Sequence, residues 1–462
     1  MADGRARFLL VCLLMLLSAL PLVAQGLGDA GRWGPPYTVP HFGLGFGARP
    51  LAMGGAFMAV AEGPTAVSSN PAGLAGLAGA EFSLGASFEG QTIGVPAMGP
   101  MDMDWRVRYA SSAYEYRLSG VAFDHAAAAA RIKAGEQSFV VGLSYHRGLD
   151  LRDPFSFTVA RSAPDARGYI PPDTYVQGEF NGTEDYTFDN EVSLDVYTAS
   201  VAFRILKNLD FGCSVNVRKG SARRFENLDA AYAISDGGEV LLSWEGYERM
   251  EGPYSFSGGT NVDFGLLWRY RWLSLAATYR TAFSLGASYT IQSDETWTTS
   301  YGETYESHNS NSWEYSIHWP AQIGFGLAVR PGKGWTVSAE SRMSELEYGG
   351  EDWIVPALSF EARVGAEYLL RFGGIDLPLR AGCFLAESDQ NDGGTSPWLS
   401  GICFGAGLGL GRLTLDTAVL LHSKKRESDF AAILGPFERS AWDVTLTVSY
   451  RLGATKDSSR FQ

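Results

Sequence analysis

The sequence predicts an all-β chain that closes into a transmembrane antiparallel barrel. Three observations point there. Stretch after stretch alternates apolar and polar residues with a period of two, the mark of strands whose two faces meet different surroundings. Aromatic residues make up 13% of the chain and glycine 55 of its 462 residues, while charged residues stop at 19%, below the roughly 25% usual in soluble domains. Beyond the first two dozen residues no apolar run reaches the roughly 18 residues of a spanning helix, so strands are what remains to cross a membrane.

Taken from the N-terminus, Arg5 and Arg7 precede an apolar run over 8–20, and Leu22-Val23-Ala24 offers a small residue at a cleavage edge. Residues 1–24 read as a secretory signal peptide. Beyond it stand Cys213, Cys383 and Cys403, an odd number for an exported chain, so disulfides are not the expected framework. A net charge of −14 argues against a nucleic-acid partner, which needs a basic face.

Strand-like runs follow at 82–88, 139–146, 209–218, 262–271, 323–330, 335–342, 360–371, 413–421 and 442–452. Noisier candidates lie at 106–118, 193–206, 273–291 and 377–385. In 360–371, Phe360, Ala362, Val364, Ala366, Tyr368 and Leu370 share one face, and Glu361, Arg363, Gly365, Glu367, Leu369 and Arg371 share the other. The stretch DHAAAAARIK at 124–133 is the exception, because its five alanines favour helix. Polar stretches near 150–190, 220–258, 293–314, 386–400 and 423–440 are expected as loops. Loops that long are unusual in a compact soluble domain and ordinary on the outer side of a membrane barrel.

Alternation alone fits a soluble sandwich as well as a barrel: in the first the apolar faces meet in a core, in the second they meet lipid. The balance tips to the barrel through strands of about ten residues, a signal peptide without a spanning helix, and rings near strand ends. Those rings are Trp268, Tyr270, Trp272, Trp319, Trp335, Trp442 and Tyr450, and together they read as interfacial girdles. In such a barrel Arg280, Glu361, Arg363, Glu367 and Arg371 point into the lumen, where a charge ladder is expected because facing charges need partners.

Motifs for chemistry are sparse. The six histidines show no HxxxH spacing and the cysteines no CxxC, so no metal or other cofactor is expected, and no GxSxG elbow marks a hydrolase. Ser144 with His146 is the nearest approach to a serine–histidine pair. GLGFG at 43–47 and GLGLG at 407–411 lack the strand-turn-helix setting of a nucleotide loop, and read as glycines for bending and close packing. No enzymatic activity is expected.

The segment ARPLAMGGAFMAVAEGPTAVSSNPAGLAGL at 48–77 resembles the N-terminal signature of the long-chain fatty acid transporter family of Gram-negative outer membranes, the FadL and TodX group. Gly54, Gly55, Ala56 and the run Asn70-Pro71-Ala72-Gly73-Leu74 carry the match, and WLSLAATYRTAFSLGASYTI and WPAQIGFGLAVRPGKGWTVSAE resemble paired strands of that family. The resemblance implies a 14-stranded barrel over 80–453 with long external loops, residues 25–79 folded inward as a hatch, and a short tail at 454–462. Gly54, Gly55, Asn70, Pro71, Ala72 and Gly73 become hatch or gate residues. The implied function is passive passage of a hydrophobic ligand, long-chain fatty acid first, into or through the outer-membrane lipid. The alternative is a barrel that acts as a secretion or surface-attachment scaffold, with a protein partner on its acidic loops.

Overall fold

The alternating segments pair antiparallel into one sheet that closes on itself. The computed structural model describes residues 44–95, 101–104, 107–111, 114–135, 137–170, 174–350, 353–387, 398–426 and 437–452. The signal peptide expected at 1–24, the first part of the expected hatch and the tail at 454–462 lie outside them.

In chain order the strands are β1 (Ala80–Val95), β2 (Met101–Asp104), β3 (Val107–Ser111), β4 (Tyr114–Ala134), β5 (Gln137–Ile170), β6 (Thr174–Leu206), β7 (Leu209–Asp236), β8 (Glu239–Tyr270) and β9 (Leu273–Arg280). They continue as β10 (Phe283–Thr299), β11 (Thr304–Trp319), β12 (Gln322–Gly332), β13 (Trp335–Gly350), β14 (Trp353–Phe372), β15 (Ile375–Glu387), β16 (Trp398–Leu410), β17 (Leu413–Arg426) and β18 (Phe437–Leu452). Strands β9 and β10 run on as one stave, as do β11 and β12, while β2 and β3 form a small hairpin beside β5. Fourteen staves remain, and the pairing of β1 with both β18 and β4 closes them. Closure satisfies every edge of the sheet, which lipid requires because it offers no hydrogen bonds.

The direction of the faces separates barrel from sandwich. Leu84 is 56% exposed while its neighbour Ser83 is 1% exposed, and the same inversion holds around the wall. Phe123, Leu143, Leu266, Phe325, Phe404 and Leu446 point outward and exposed. Asn216, Asn261, Asp263, Glu340, Arg342 and Glu361 point inward and buried. An exposed apolar belt around a buried polar interior is the reverse of a soluble core, and it suits lipid outside.

Three expectations are corrected. The polar stretches near 150–190, 220–258 and 293–314 are strand, within β5 to β8, β10 and β11, and β5 and β6 reach 34 and 33 residues. Outside lipid a paired strand needs no apolar face, and cross-strand rings hold the extension. Phe157 stacks on Tyr186 with centroids 4.9 Å apart, and Tyr232 meets Trp244 at 5.4 Å. The alanine run at 124–133 is also strand, in β4, paired with β1 and β5. Helix propensity is a weak prior, and here the inward Ala127 and Ala129 leave room for a segment inside the barrel. Trp319 does not join a girdle; it stacks on the inward Phe283 at 5.1 Å.

Candidate functional site

Residues 44–79 lie inside the lumen, as a short helix α1 (Ala48–Ala52) and two 3₁₀ turns, Pro64–Ser68 and Pro71–Gly76. The segment is made of small residues because two backbones must fit within one cylinder. Phe57, Met53, Met58 and Leu74 are its largest fully buried side chains, and Phe57, Met58 and Leu74 share one cluster with Ala127, Ala129, Val140, Ala202, Ala276 and Ala328 of the wall.

Asn70 begins the second 3₁₀ turn in extended conformation, with Pro71 supplying a fixed φ at the first turn position. Its Oδ1 accepts from the Ala72 N–H at 3.1 Å, and its Nδ2 donates to the carbonyls of Met58 at 3.2 Å and Leu266 at 3.1 Å. One side chain thus caps its own turn, ties it to the segment's other arm and fastens it to β8. The wall is shaped to receive it: a Cβ on Gly265 would lie 2.0 Å from Asn70 Oδ1, and one on Gly212 would lie 2.3 Å from the Ala72 nitrogen. A Cβ on Gly73 would lie 2.5 Å from the Ala61 carbonyl oxygen. Gly54 and Gly55 have φ of 63° and 76°, and Gly54 rests on the backbone of Cys383.

Polar side chains of the wall complete the fixing. The Ala48 N–H donates to Thr447 Oγ1 at 2.8 Å, and the Gly47 N–H to Asp124 Oδ2 at 3.1 Å. Asp124 is the extra residue of a β-bulge, which turns both it and His125 inward. His125 then bridges Asp124 at 2.7 Å and Ser83 at 2.8 Å, while the Phe46 ring packs tilted against both His125 and His146 with centroids 4.8 Å apart. Ser144 Oγ and His146 Nδ1 have no hydrogen-bond partner among the described residues, so these two side chains do not bond to each other there. Arg131 donates to the carbonyls of Leu77 and Ala75 at 2.5 and 2.7 Å.

Glu340 is the centre of the strongest anchor. Oε2 accepts from the N–H groups of Phe57 at 3.2 Å and Met58 at 2.9 Å, and Oε1 accepts from Arg342 at 2.7 Å and Arg363 at 3.1 Å. Arg363 also holds Glu361. The expected ladder therefore resolves into separate groups. Glu361 and Arg363 belong to the Glu340 cluster. Arg280 forms a two-pronged pair with Asp263 at 3.0 and 3.1 Å. Glu367 takes Arg380 at 2.7 Å and Arg49 of the lumenal segment at 3.1 and 3.2 Å, with Asp416 beyond Arg380 at 2.6 Å. Arg371 stands apart, half-exposed at the end of β14 and 3.4 Å from Asp376. It shares the parity of its neighbours but lies past the lumen. Glu340, Arg342, Asp263, Arg380 and Asp416 were legible only as alternate polar positions within strands; Glu340 and Arg342 meet two residues apart on β13, and the remaining acidic or basic partners come from other staves.

Arg49 also holds Glu62. Partial enclosure opposes the Glu62 charge, yet Arg49 outweighs it, helped by Arg451 and Arg330, and the carboxyl is held down at about 2 against an ordinary 4.5. A depressed carboxyl contributes to the latch above its ordinary range and loses that contribution as pH falls toward 2. Amide exchange of residues 48–62, corrected for the intrinsic rate, is expected to rise between about pH 4.5 and 2 and to stay flat across that range in Glu62→Gln.

Beyond the lumenal segment, toward the long-strand end, an inward apolar cluster is built by Val192, Leu194, Tyr254, Phe256, Phe283 and Leu285. Arg218 borders it, with its guanidinium 4.0 Å from the centre of the Phe283 ring. Nη1 of Arg218 donates to Asn261 at 2.6 Å, while its buried Nε has no partner among the described residues. On the outer face a groove of about 770 Å3 crosses β1, β4, β5, β6 and β7, where Ala126, Ala128 and Ala199 are flanked by Phe82, Leu143 and Tyr197.

No protein-family model and no curated protein matches this sequence. Solved structures do. A FadL homologue from Pseudomonas aeruginosa is similar over 90% of this chain and 99% of its own, with 13% identity and a TM-score of 0.54. The CymD monoaromatic hydrocarbon channel is similar over 89% of this chain and 99% of its own, with 13% identity and a TM-score of 0.53. A TodX deltaS2S3 mutant monoaromatic hydrocarbon channel covers 88% and 99%, with 17% identity and a TM-score of 0.52. At these identities what is shared is the fold. A closed barrel of that fold, with an apolar outer belt and no helix among the described residues able to cross a bilayer, fits a bacterial outer membrane.

Proposed function

We propose that this chain is an outer-membrane channel for passive uptake of hydrophobic molecules, with long-chain fatty acids as the leading class and the lumenal segment as its hatch. The observation that carries the proposal is the way the segment is held. It pairs with no strand of the wall, and hydrogen bonds and ion pairs fasten it at separate points, so it can shift without unravelling the sheet. A ligand that binds the shifted arrangement better would move the population toward it, with no energy source needed. Two of the fold neighbours are monoaromatic hydrocarbon channels, which supports a hydrophobic cargo.

The choice of a carboxylate over a neutral hydrocarbon rests on Arg218. Its unpartnered N–H beside the apolar cluster suits an acid headgroup whose chain lies among Phe283, Leu285 and Phe256. Arg218→Leu is expected to weaken fatty-acid binding roughly tenfold and leave binding of toluene unchanged, as read by displacement of a fluorescent fatty acid. The outer groove over the alanines is the reading's exit into lipid. Ala128→Trp should fill it and slow uptake at least about fivefold with equilibrium binding intact.

Uptake of radiolabelled oleate by cells that carry or lack the chain tests the function, together with lipid analysis of the purified protein. Equal uptake in both strains, an empty lumen and a stable protein partner would instead favour the scaffold reading. That reading draws on the long strands β5 to β8, whose ends carry exposed acids such as Glu179, Glu239 and Glu248.

A further inference from the structure

The short-turn end of the barrel carries a ring of cations. Four of its six tight turns place one at or beside the apex: Lys207 between β6 and β7, Arg271 between β8 and β9, Lys333 between β12 and β13, and Arg412 between β16 and β17. All four are exposed, and among the described residues none has an acidic partner. The acids described at this rim are already engaged: Asp210 by Arg204 and Arg269, Glu81 by Arg451, and Asp376 by Arg371. The chain as a whole is acidic, and exposed acids such as Glu239, Glu245, Glu303 and Glu306 lie at the opposite end. The charge is therefore polarised along the barrel axis.

Two further features single out these turns. Arg271 and Lys333 have φ of 50° and 55°, the only non-glycine residues in the left-handed region among those described. Glycine or asparagine would occupy that conformation more easily, so a cation is kept there against backbone preference. Just inside the turns, rings sit at the edge of the lipid-facing belt. Trp268 stacks on Tyr270 at 5.7 Å, Trp335 meets Tyr368 at 4.7 Å, and the Arg271 guanidinium lies 5.3 Å from the Tyr270 ring. Aromatic rings at a bilayer edge settle at headgroup depth, which places the turn cations at or just beyond the phosphates.

We propose that this ring binds the phosphates of anionic phospholipids in the leaflet at the short-turn rim. The distribution favours lipid over a docked protein. The cations are spread around the circumference, at four of the six turns, from β6–β7 to β16–β17, and a surface that surrounds the barrel meets all of them whereas a single partner would meet one side. The anchoring fixes the depth of the barrel and opposes tilt, so that the apolar belt stays in register with the hydrocarbon.

The full chain, purified in detergent and equilibrated with equal amounts of phosphatidylglycerol and phosphatidylcholine, tests this by native mass spectrometry of the retained lipid. Wild type is expected to prefer phosphatidylglycerol about fivefold for each lipid seated at a turn, and to lose the preference in about 0.5 M salt. The variant K207Q/R271Q/K333Q/R412Q should retain the two lipids equally, whereas K207R/R271K/K333R/R412K should behave as wild type. Parity in wild type, or an unchanged preference in the neutral variant, overturns the proposal. If the neutral variant fails to fold, the salt titration of wild type decides alone. Lipid parity together with capture of an acidic protein by wild type, but not by the neutral variant, assigns the ring to a protein partner and also overturns it.

Discussion

Glu340→Ala is expected to release the lumenal segment and to destabilise the barrel by about 3–5 kcal/mol, the usual cost of removing one partner from a buried charged cluster. The carboxylate is 1% exposed and accepts four donors, two from the segment and two from wall arginines. Its loss leaves Arg342 without its carboxylate at 2.7 Å, removes one of the acceptors of Arg363, and strands the Met58 N–H, while the Phe57 N–H keeps only the Gly55 carbonyl at 2.8 Å. Two readouts separate the consequences. The temperature at which the folded band is lost on a gel should fall, reporting the wall. Ion conductance across a planar bilayer should rise, reporting the segment. Glu340→Gln keeps an oxygen for the two N–H groups but turns an amide toward two guanidinium groups, so it should destabilise the wall while raising conductance less. Unchanged conductance in Glu340→Ala would show that the segment is held elsewhere.

The second large effect is expected at Gly265. A methyl group there would lie 2.0 Å from Asn70 Oδ1, so Gly265→Ala must push the Asn70 side chain away. That breaks the cap on Ala72 and the two bonds from Nδ2 to the Met58 and Leu266 carbonyls. Asn70→Ala removes the same bonds without a clash, at about 1–3 kcal/mol for the buried groups left unpaired. Both variants should open the channel to a similar degree, and Gly265→Val should do so further. Leu266→Ala is the control, since Leu266 is next in sequence but 41% exposed on the lipid face, and its loss should leave conductance near wild type. A closed channel in both Gly265→Ala and Asn70→Ala would remove the Asn70 turn from the gate.

How much of this was legible in the sequence differs from element to element. Strands with both an apolar and a charged face, such as 360–371, announce themselves because side-chain direction alternates strictly along an extended chain. The Asn-Pro-Ala-Gly turn was legible as well, since a capping side chain and a fixed φ act locally. The partners of each charge were not. Arg371 repeats the parity of Glu367 yet lies past the lumen, and Glu367 joins Arg49, which is 318 residues away. Alanine-rich β4 was misread because local propensity favours helix there, while the pairing with β1 and β5 and the packed lumen favour strand.

Alternation, the sparse charge, the missing apolar helix and the small-residue segment by themselves determined an all-β chain with a two-faced wall and something compact at its N-terminal end. Those properties depend on neighbours a few residues apart. Tertiary structure alone decided which strands join end to end into staves, which charges pair across the lumen, and that Gly212 and Gly265 stand opposite the Asn70 turn. It also decided that polar stretches beyond the belt extend as strand. Each of these is set by contacts between residues far apart in the chain, which become neighbours only when the sheet curves round and fills its own interior.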